Sequence, residues 1–191
     1  MAEVKSTFEL RYGDGAPLFE LPDSWKKMHS FRDVAGKNGT IVIFACNHCP
    51  FVIHLAEEVG MLAKLAAEHG VNTVAINSND LEKYPQDGPE QMKDFAKEYG
   101  WDFPYLLDRT QMTAKAYGAA CTPDFFLFDA EARISYAGQF DDSRPGRGTA
   151  TGDDLRAAIG KMLEGEVPPK GKPSSGCNIK WKPGNEPRYF G

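Results

Sequence analysis

Two cysteines separated by two residues are the candidate reactive side chains of this sequence. Cys46 and Cys49 enclose Asn47 and His48. Two thiols at this spacing can close into a disulfide and reopen by thiol exchange. We expect Cys46, the outer thiol, to attack as the nucleophile and Cys49 to resolve the mixed disulfide. Because the imidazole of His48 would favour a thiolate beside it, the pKa of Cys46 is expected to be depressed.

The elements around this pair place it where a strand turns into a helix. Residues 40–46 (TIVIFAC) form a continuous apolar run, which predicts a strand buried on both faces. Residues 51–69 carry apolar side chains at helical spacing, and Gly70 provides a C-cap. The unpaired N–H groups and the positive dipole end at the start of this helix would stabilise a thiolate. Pro50, in the first turn, is expected to stiffen the loop.

The same cysteines allow other interpretations. A Cys-x-x-Cys is also half of a zinc site, which Cys121, Cys177 or His48 could complete. The chain has four cysteines and no second Cys-x-x-Cys, so we predict a redox pair with no bound metal and no cofactor. Cys121 could be an auxiliary thiol or a small buried residue. Cys177 could be an additional resolving cysteine or a residue that helps to dock the C-terminal tail.

Beyond the cysteines, strands and helices alternate along the chain, which predicts an α/β fold. Residues 1–165 are interpreted as one domain, with Thr151 as the N-cap of its last helix. Residues 166–191 are rich in Pro, Gly and Lys but contain aromatic residues, so we interpret them as an irregular tail packed on the domain. The predicted strands cover residues 71–76, 105–107, 124–128 and 133–140, and the predicted helices cover residues 89–99, 110–117 and 153–164.

Composition and charge narrow the classes of partner. The chain has 22 Lys and Arg against 27 Asp and Glu, and this net charge of -5 argues against nucleic acid or an anionic membrane surface as the partner. The N-terminal residues lack the basic and apolar segments of a signal peptide, and no apolar run is long enough to span a membrane. These features predict a cytoplasmic protein and leave its oligomeric state open.

Two separated motifs resemble the thioredoxin-like superfamily, in particular the branch that joins TlpA-type oxidoreductases with the AhpC/TSA (peroxiredoxin) group. The motifs are Cys46-x-x-Cys49 between a strand and a helix, and Thr122-Pro123 before a hairpin. The helix and strand predicted within residues 77–107 are similar to the insertion of that branch. The tail GCNIKWKPGNEP resembles that of a bacterial subfamily of thioredoxin-like proteins.

This resemblance implies a thioredoxin-like fold, with a central mixed sheet flanked by helices, an inserted helix and strand, and an irregular C-terminal tail. It implies a thiol/disulfide oxidoreductase that exchanges disulfides with proteins or small-molecule thiols. It further implies that Pro123 is a cis-proline. Thr122 and Pro123, together with Asn47 and His48, are then the expected substrate-binding residues beside the dithiol.

The chain departs from the family pattern at positions that bear on mechanism. Peroxiredoxins place Pro and Thr ahead of their peroxidatic cysteine, where this chain has Gly39 and Ile43. Their assisting arginine would fall where this chain has Thr122-Pro123. The buried acid of plain thioredoxins would fall near Thr40. A peroxiredoxin-like hydroperoxide reductase and a redox sensor without turnover are therefore alternatives to disulfide exchange.

Overall fold

Strands and helices alternate along residues 3–190, which is the part of the chain that the computed structural model describes. A short 3-10 turn (Pro85–Asp87) precedes the third helix. The strands are β1 (Glu3–Lys5), β2 (Glu20–Pro22), β3 (Met28–Ser30), β4 (Gly39–Phe44), β5 (Val71–Asn77), β6 (Tyr105–Leu107), β7 (Cys121–Thr122), β8 (Asp124–Asp129), β9 (Ile134–Gly138) and β10 (Ser175–Asn178). The helices are α1 (Phe31–Val34), α2 (Pro50–Glu68), α3 (Pro89–Glu98), α4 (Met112–Tyr117) and α5 (Asp153–Leu163).

The central sheet has five strands in the order β6-β5-β4-β8-β9. Strand β4 pairs parallel with β5 and antiparallel with β8, which confirms the predicted mixed sheet. All of β4 is buried. Its side chains alternate between the faces, with Ile41 and Ile43 on one and Val42 and Phe44 on the other. Because both faces are covered, the strand has no exposed polar side.

Helices cover both faces of this sheet. Apolar residues of α2, α3 and α5 pack on the face that carries Ile41 and Ile43. Apolar residues of α1 and α4 pack on the opposite face. Helix α2 begins directly after the dithiol, so the dithiol lies at the carboxyl end of the central strand β4. Within residues 3–190, no helix combines the length and the apolar composition needed to cross a membrane.

The start of α5 corrects one local prediction. Gly152, and not Thr151, is the N-cap, in the left-handed conformation with φ of 69°. The backbone N–H groups of Thr151 and Gly152 both donate to Oδ2 of the buried Asp141, at 2.7 and 2.8 Å. An acid from the preceding loop therefore fixes the backbone just before α5, and none of the described side chains caps the helix itself.

The two ends of the chain form a second sheet that the sequence analysis did not predict. Strand β10 lies between β1 and β7, antiparallel to both. The prediction of an irregular tail is therefore wrong for residues 175–178. Farther along the tail, Ile179 and Trp181 are buried against the α4 side of the central sheet. Cys177, Ile179 and Trp181 alternate with polar residues, which was the available signal for an extended segment.

The hydroxyl of Tyr117 provides a test of this core. Its ring is fully buried against Phe44, Phe126 and Phe128, and its hydroxyl has no hydrogen-bond partner within residues 3–190. An unsatisfied buried polar group costs about 1–3 kcal/mol. We therefore expect Tyr117→Phe to raise the free energy of unfolding by about 1 kcal/mol, measured by urea denaturation.

Tyr136→Phe is the matched control for this substitution. The Tyr136 hydroxyl is buried and donates to the carbonyl oxygen of Gln139 at 2.6 Å. Its removal should lower the free energy of unfolding by about 1 kcal/mol. A loss of stability of similar size in both variants would contradict the unsatisfied state of the Tyr117 hydroxyl.

Candidate active site

The redox loop, residues 45–49, connects β4 to α2. The strand ends at Phe44, so the prediction that it continues to Cys46 is wrong and Cys46 lies in the loop. Cys49 is the N-cap of α2, and Pro50 occupies the first helical turn, where its missing N–H removes no helical hydrogen bond. The sulfur of Cys49 therefore lies at a helix N-terminus, where backbone N–H groups favour an anion.

The two cysteines meet the Thr122-Pro123 dipeptide, which lies between β7 and β8. The peptide bond of this dipeptide is cis, as the resemblance implied. Cys46 Sγ lies 3.4 Å from the Thr122 hydroxyl, and Cys49 Sγ lies 3.1 Å from the Thr122 carbonyl oxygen. Cys46 and Cys49 are 1% and 0% exposed. The fold thus brings together residues that are more than 70 positions apart in the chain.

The two thiols share a proton in this arrangement. The S–H of Cys46 donates to the sulfur of Cys49, and this contact, together with burial, raises the pKa of Cys46 well above its usual range. The same hydrogen bond lowers the pKa of Cys49 to about 5, although burial opposes this shift. The prediction of a depressed Cys46 pKa is therefore wrong. The main physical reason is the contact between the two cysteines, with burial at Cys46; Asp87 adds to the rise at Cys46, and Cys177 and the Val52 N–H add to the fall at Cys49.

A buried carboxylate that the sequence analysis missed lies against the redox loop. Asp87 has no exposed surface. Its Oδ1 accepts the backbone N–H of Asn47 at 2.8 Å, and its Oδ2 accepts Nδ2 of Asn79 at 2.9 Å. Its backbone carbonyl accepts Nδ2 of Asn77 at 2.7 Å. Asp87 therefore ties the redox loop to the segment that follows β5.

The topology contained a signal for this acid. Strands β4 and β5 are parallel neighbours, so the segments that leave their carboxyl ends meet at one edge of the sheet. Residues 77–88 (NSNDLEKYPQDG) form the polar segment after β5. Thr40, the position nearest to the acid of plain thioredoxins, lies at the start of β4 and accepts the Gly36 N–H at 3.2 Å. The acid near the dithiol thus comes from a different strand end.

The two residues between the cysteines have different surroundings. Asn47 Oδ1 accepts the Tyr105 hydroxyl at 3.0 Å, which holds this side chain against the protein. The His48 ring stacks on Tyr84, with centroids 5.5 Å apart and an angle of 4° between the planes. His48 Nδ1 lies 2.7 Å from Asp87 Oδ2, but neither ring nitrogen has an aligned hydrogen bond among the described residues. Asn47 thus holds the loop against the protein, and His48 lies between Tyr84 and the carboxylate of Asp87.

Three of these residues also converge closely enough to hold a metal ion. A ligand atom from each of Cys46, His48 and Asp87 lies within 4.8 Å of the other two. Thiolate, imidazole and carboxylate are all ligands that zinc accepts. In the described part of the chain, no group this close includes Cys121 or Cys177. The zinc sites that the sequence allowed through those two cysteines are therefore not formed there.

The remaining two cysteines occupy different places. Cys121 lies on β7, and its sulfur contacts the carbonyl oxygen of Pro123, two residues later, at 3.5 Å. Cys177 on β10 pairs with Thr122 and is 3% exposed. Its S–H and its backbone N–H both donate to the sulfur of Cys49. Cys177 is therefore part of the site. The edge of β7 at Thr122 is already paired with β10, which belongs to the protein's own tail.

A cleft beside Pro123 offers a surface next to the dithiol. Its walls include Phe51 and His54 from the start of α2, and Arg144 and Pro145 from the loop after β9. The cleft combines aromatic and aliphatic surface with Asp141 and Arg144. The Arg144 guanidinium donates to the Ser143 carbonyl oxygen and to Gln139 Oε1, and the space inside the cleft holds about one water molecule.

Sequence comparison connects this site to known oxidoreductases. The profile of the Redoxin family matches residues 11–155. The thiol-disulfide oxidoreductase ResA of Geobacillus thermodenitrificans is 28% identical over 122 residues, which is 64% of this chain and 66% of ResA. The matched region thus spans slightly less than two thirds of that relative.

Solved structures show the same fold. The crystal structure of an uncharacterized conserved protein from Geobacillus kaustophilus is 49% identical, with a TM-score of 0.91, and covers 96% of this chain and 98% of that protein. A putative thiol:disulfide interchange protein DsbE from Chlorobium tepidum is 23% identical, with a TM-score of 0.61, over 81% of this chain and 99% of its own. This second likeness concerns the fold alone. The predicted thioredoxin-like fold is confirmed.

The shared proton predicts a two-step titration of the reduced protein. We expect one thiolate to persist at neutral pH and to take up a proton only near the pKa of Cys49, about 5. Cys46→Ala removes the S–H that donates to Cys49, so the pKa of Cys49 should rise. Because folding lowers the pKa of Cys49, its anion stabilises the reduced fold, and this stabilisation is lost as the pH falls through about 5. Because folding raises the pKa of Cys46, stability should also fall as the pH rises above the pKa of an unfolded cysteine.

Ultraviolet absorbance of the thiolate against pH measures both steps. Cys121→Ala is the control, because burial holds the pKa of Cys121 well above its usual range and its removal should leave the low step unchanged. A single step near the pKa of an ordinary cysteine would rule out the shared proton.

Proposed function

This chain belongs to the Redoxin family, and on that premise we propose that it is a thiol-disulfide oxidoreductase with Cys46 and Cys49 as its redox-active pair. The main support for this proposal is that both sulfur atoms contact Thr122. Cys46 Sγ lies 3.4 Å from its hydroxyl, and Cys49 Sγ lies 3.1 Å from its carbonyl oxygen. Neighbouring sulfurs at a helix N-terminus, beside a cleft, are what disulfide exchange requires.

Cys46 is the proposed nucleophile because of where the two sulfurs face. Cys46 lies beside His48, whose side chain is 17% exposed. Cys49 lies on the other side, between the first turn of α2 and Cys177 on β10. A substrate disulfide that approaches past His48 therefore reaches the sulfur of Cys46 first.

The shared proton gives Cys49 a second role in this reaction. As Cys46 attacks, its proton passes to Cys49, the Cys46–substrate S–S bond forms and the first substrate thiolate leaves. Cys49 then passes the proton to that thiolate, a transfer that its lowered pKa favours. The Cys49 sulfur attacks Cys46, which forms the Cys46–Cys49 disulfide and releases the second thiolate. Two electrons pass from the dithiol to the substrate.

The proposed substrates are protein disulfides or small-molecule disulfides and thiols. Phe51 and Pro123 provide apolar surface in the cleft beside the cis-proline, which such a chain could contact. A lowered Cys49 pKa stabilises the reduced form, which makes the pair more oxidising than a dithiol with ordinary pKa values. An equilibrium titration against glutathione, with mass spectrometry to locate the bond, measures this potential.

Single cysteine substitutions test the assignment of roles. With insulin or a model disulfide as substrate, Cys49→Ser should accumulate a mixed disulfide on Cys46, because nothing resolves it from that side. Cys46→Ser should form none, and both variants should lose reductant-dependent turnover. Mass spectrometry identifies the trapped species. A mixed disulfide on Cys49 in Cys46→Ser would reverse the roles, and consumption of hydroperoxide with no disulfide turnover would favour a peroxide reductase instead.

Removal of the Thr122 hydroxyl is an independent test of the reactivity of Cys46. This hydroxyl lowers the pKa of Cys46 against the larger effects that raise it. Thr122→Val keeps the shape of the side chain and removes the hydroxyl, so the pKa of Cys46 should rise further and its alkylation should slow severalfold at a given pH. The rate of reaction with iodoacetamide measures this change.

Thr73→Val is the matched control for the hydroxyl. Thr73 is also a buried threonine, and its hydroxyl has no partner among the described residues. It lies in β5, and its substitution should leave the alkylation rate of Cys46 unchanged. Equal effects of the two substitutions on the alkylation rate would show that the Thr122 hydroxyl has no specific effect on Cys46.

A further inference from the structure

We propose that Cys177 is a third catalytic thiol, which attacks Cys49 in the Cys46–Cys49 disulfide and moves that disulfide to Cys49–Cys177. This inference rests on the proposed function, because it needs the first disulfide to form. It assigns a redox role to the C-terminal tail, which otherwise only covers the domain.

The first support is the position of Cys177 relative to the dithiol. Cys177 pairs with Thr122 across β10 and β7, and Thr122 is the residue that contacts both redox sulfurs. The S–H and the backbone N–H of Cys177 both donate to the sulfur of Cys49. The sulfur of Cys49 therefore has one thiol neighbour in the redox loop, Cys46, and another in the tail.

The second support is that the tail is held firmly at this place. A Cβ atom at Gly176 would overlap the carbonyl oxygen of Thr122, so β10 approaches β7 as closely as a glycine allows. Farther along, the Lys180 N–H donates to Asn79 Oδ1 at 2.8 Å, and Gln111 Nε2 donates to the Lys180 carbonyl oxygen at 2.9 Å. A thiol fixed in this way reacts at a high effective concentration.

The exchange balances without an added oxidant or reductant. The sulfur of Cys177 bonds to the sulfur of Cys49, the Cys46–Cys49 bond breaks, and its electron pair stays on Cys46. The proton that leaves Cys177 ends on Cys46. The products are a Cys49–Cys177 disulfide and a free Cys46 thiol, so the outer nucleophile is restored while the oxidised bond is stored inside the protein.

The surroundings of Cys177 also set the order of events. In the reduced protein, burial and then the neighbouring Cys49 anion raise the pKa of Cys177 to about 12, so its thiol is inert. When Cys49 is part of a disulfide, that anion is gone and its share of the shift disappears. Cys177 thus becomes a better nucleophile only after the first disulfide has formed.

The test follows the free thiol of Cys46 in oxidised protein. After one equivalent of oxidised glutathione, a thiol-specific label should reach Cys46 in the wild type, and a peptide that contains Cys177 should be linked to Cys49. In Cys177→Ala, labelling of Cys46 should fall at least about tenfold, because the bond stays at Cys46–Cys49. Cys121→Ala is the matched control and should behave as the wild type.

Cys46→Ala tests the same bond with the tail intact. Oxidised with diamide, which couples two neighbouring thiols without a mixed disulfide with a substrate, it should form a Cys49–Cys177 disulfide that dithiothreitol reopens. No such bond in this variant, together with a wild type that holds only Cys46–Cys49, would overturn the role of Cys177 and leave the proposed oxidoreductase intact. A wild type that forms no disulfide at any glutathione ratio would instead overturn the proposed function itself.

Discussion

A carboxylate without exposed surface has to find its hydrogen-bond donors inside the protein, and at Asp87 those donors come from the segments that build the site. The Asn47 N–H fixes the redox loop, and the Asn79 side chain fixes the segment after β5. The same Asn79 side chain accepts the Lys180 N–H, which anchors the C-terminal tail. The carboxylate of Asp87 thus joins the redox loop to the segment after β5, and Asn79 extends this connection to the tail.

This arrangement decides where negative charge rests in the reduced dithiol. Asp87 places a negative charge near Cys46 and so disfavours a thiolate at that sulfur. The start of α2 and the tail direct the N–H groups of Val52 and Cys177 towards Cys49 and stabilise one there. The pKa of Cys49 is lowered and that of Cys46 is raised. In the proposed reaction, attack by Cys46 would therefore depend on proton transfer within the pair.

The C-terminal tail contacts Cys49 and is itself held in place by the second sheet. Strand β10 is bordered by β1 and β7, so both ends of the chain are needed to hold Cys177 against Cys49. The ring of Tyr84 extends this link, because it stacks on His48 and lies 5.9 Å below the ammonium group of Lys180. The tail therefore contacts the surroundings of the dithiol both at Cys177 and, through Tyr84, at His48.

The sequence by itself determined the dithiol, its place between β4 and α2, the alternation of strands and helices, and the Thr122-Pro123 motif. These features depend on residue spacing over a few turns or strands, which is visible along the chain. Only the tertiary structure decided that Asp87 and Cys177 belong to the site and that Cys49, not Cys46, has the lowered pKa. The reason is that burial, charge proximity and hydrogen bonding act through space, and Asp87, Thr122 and Cys177 are 40 or more positions away in the chain from the cysteines whose pKa they shift.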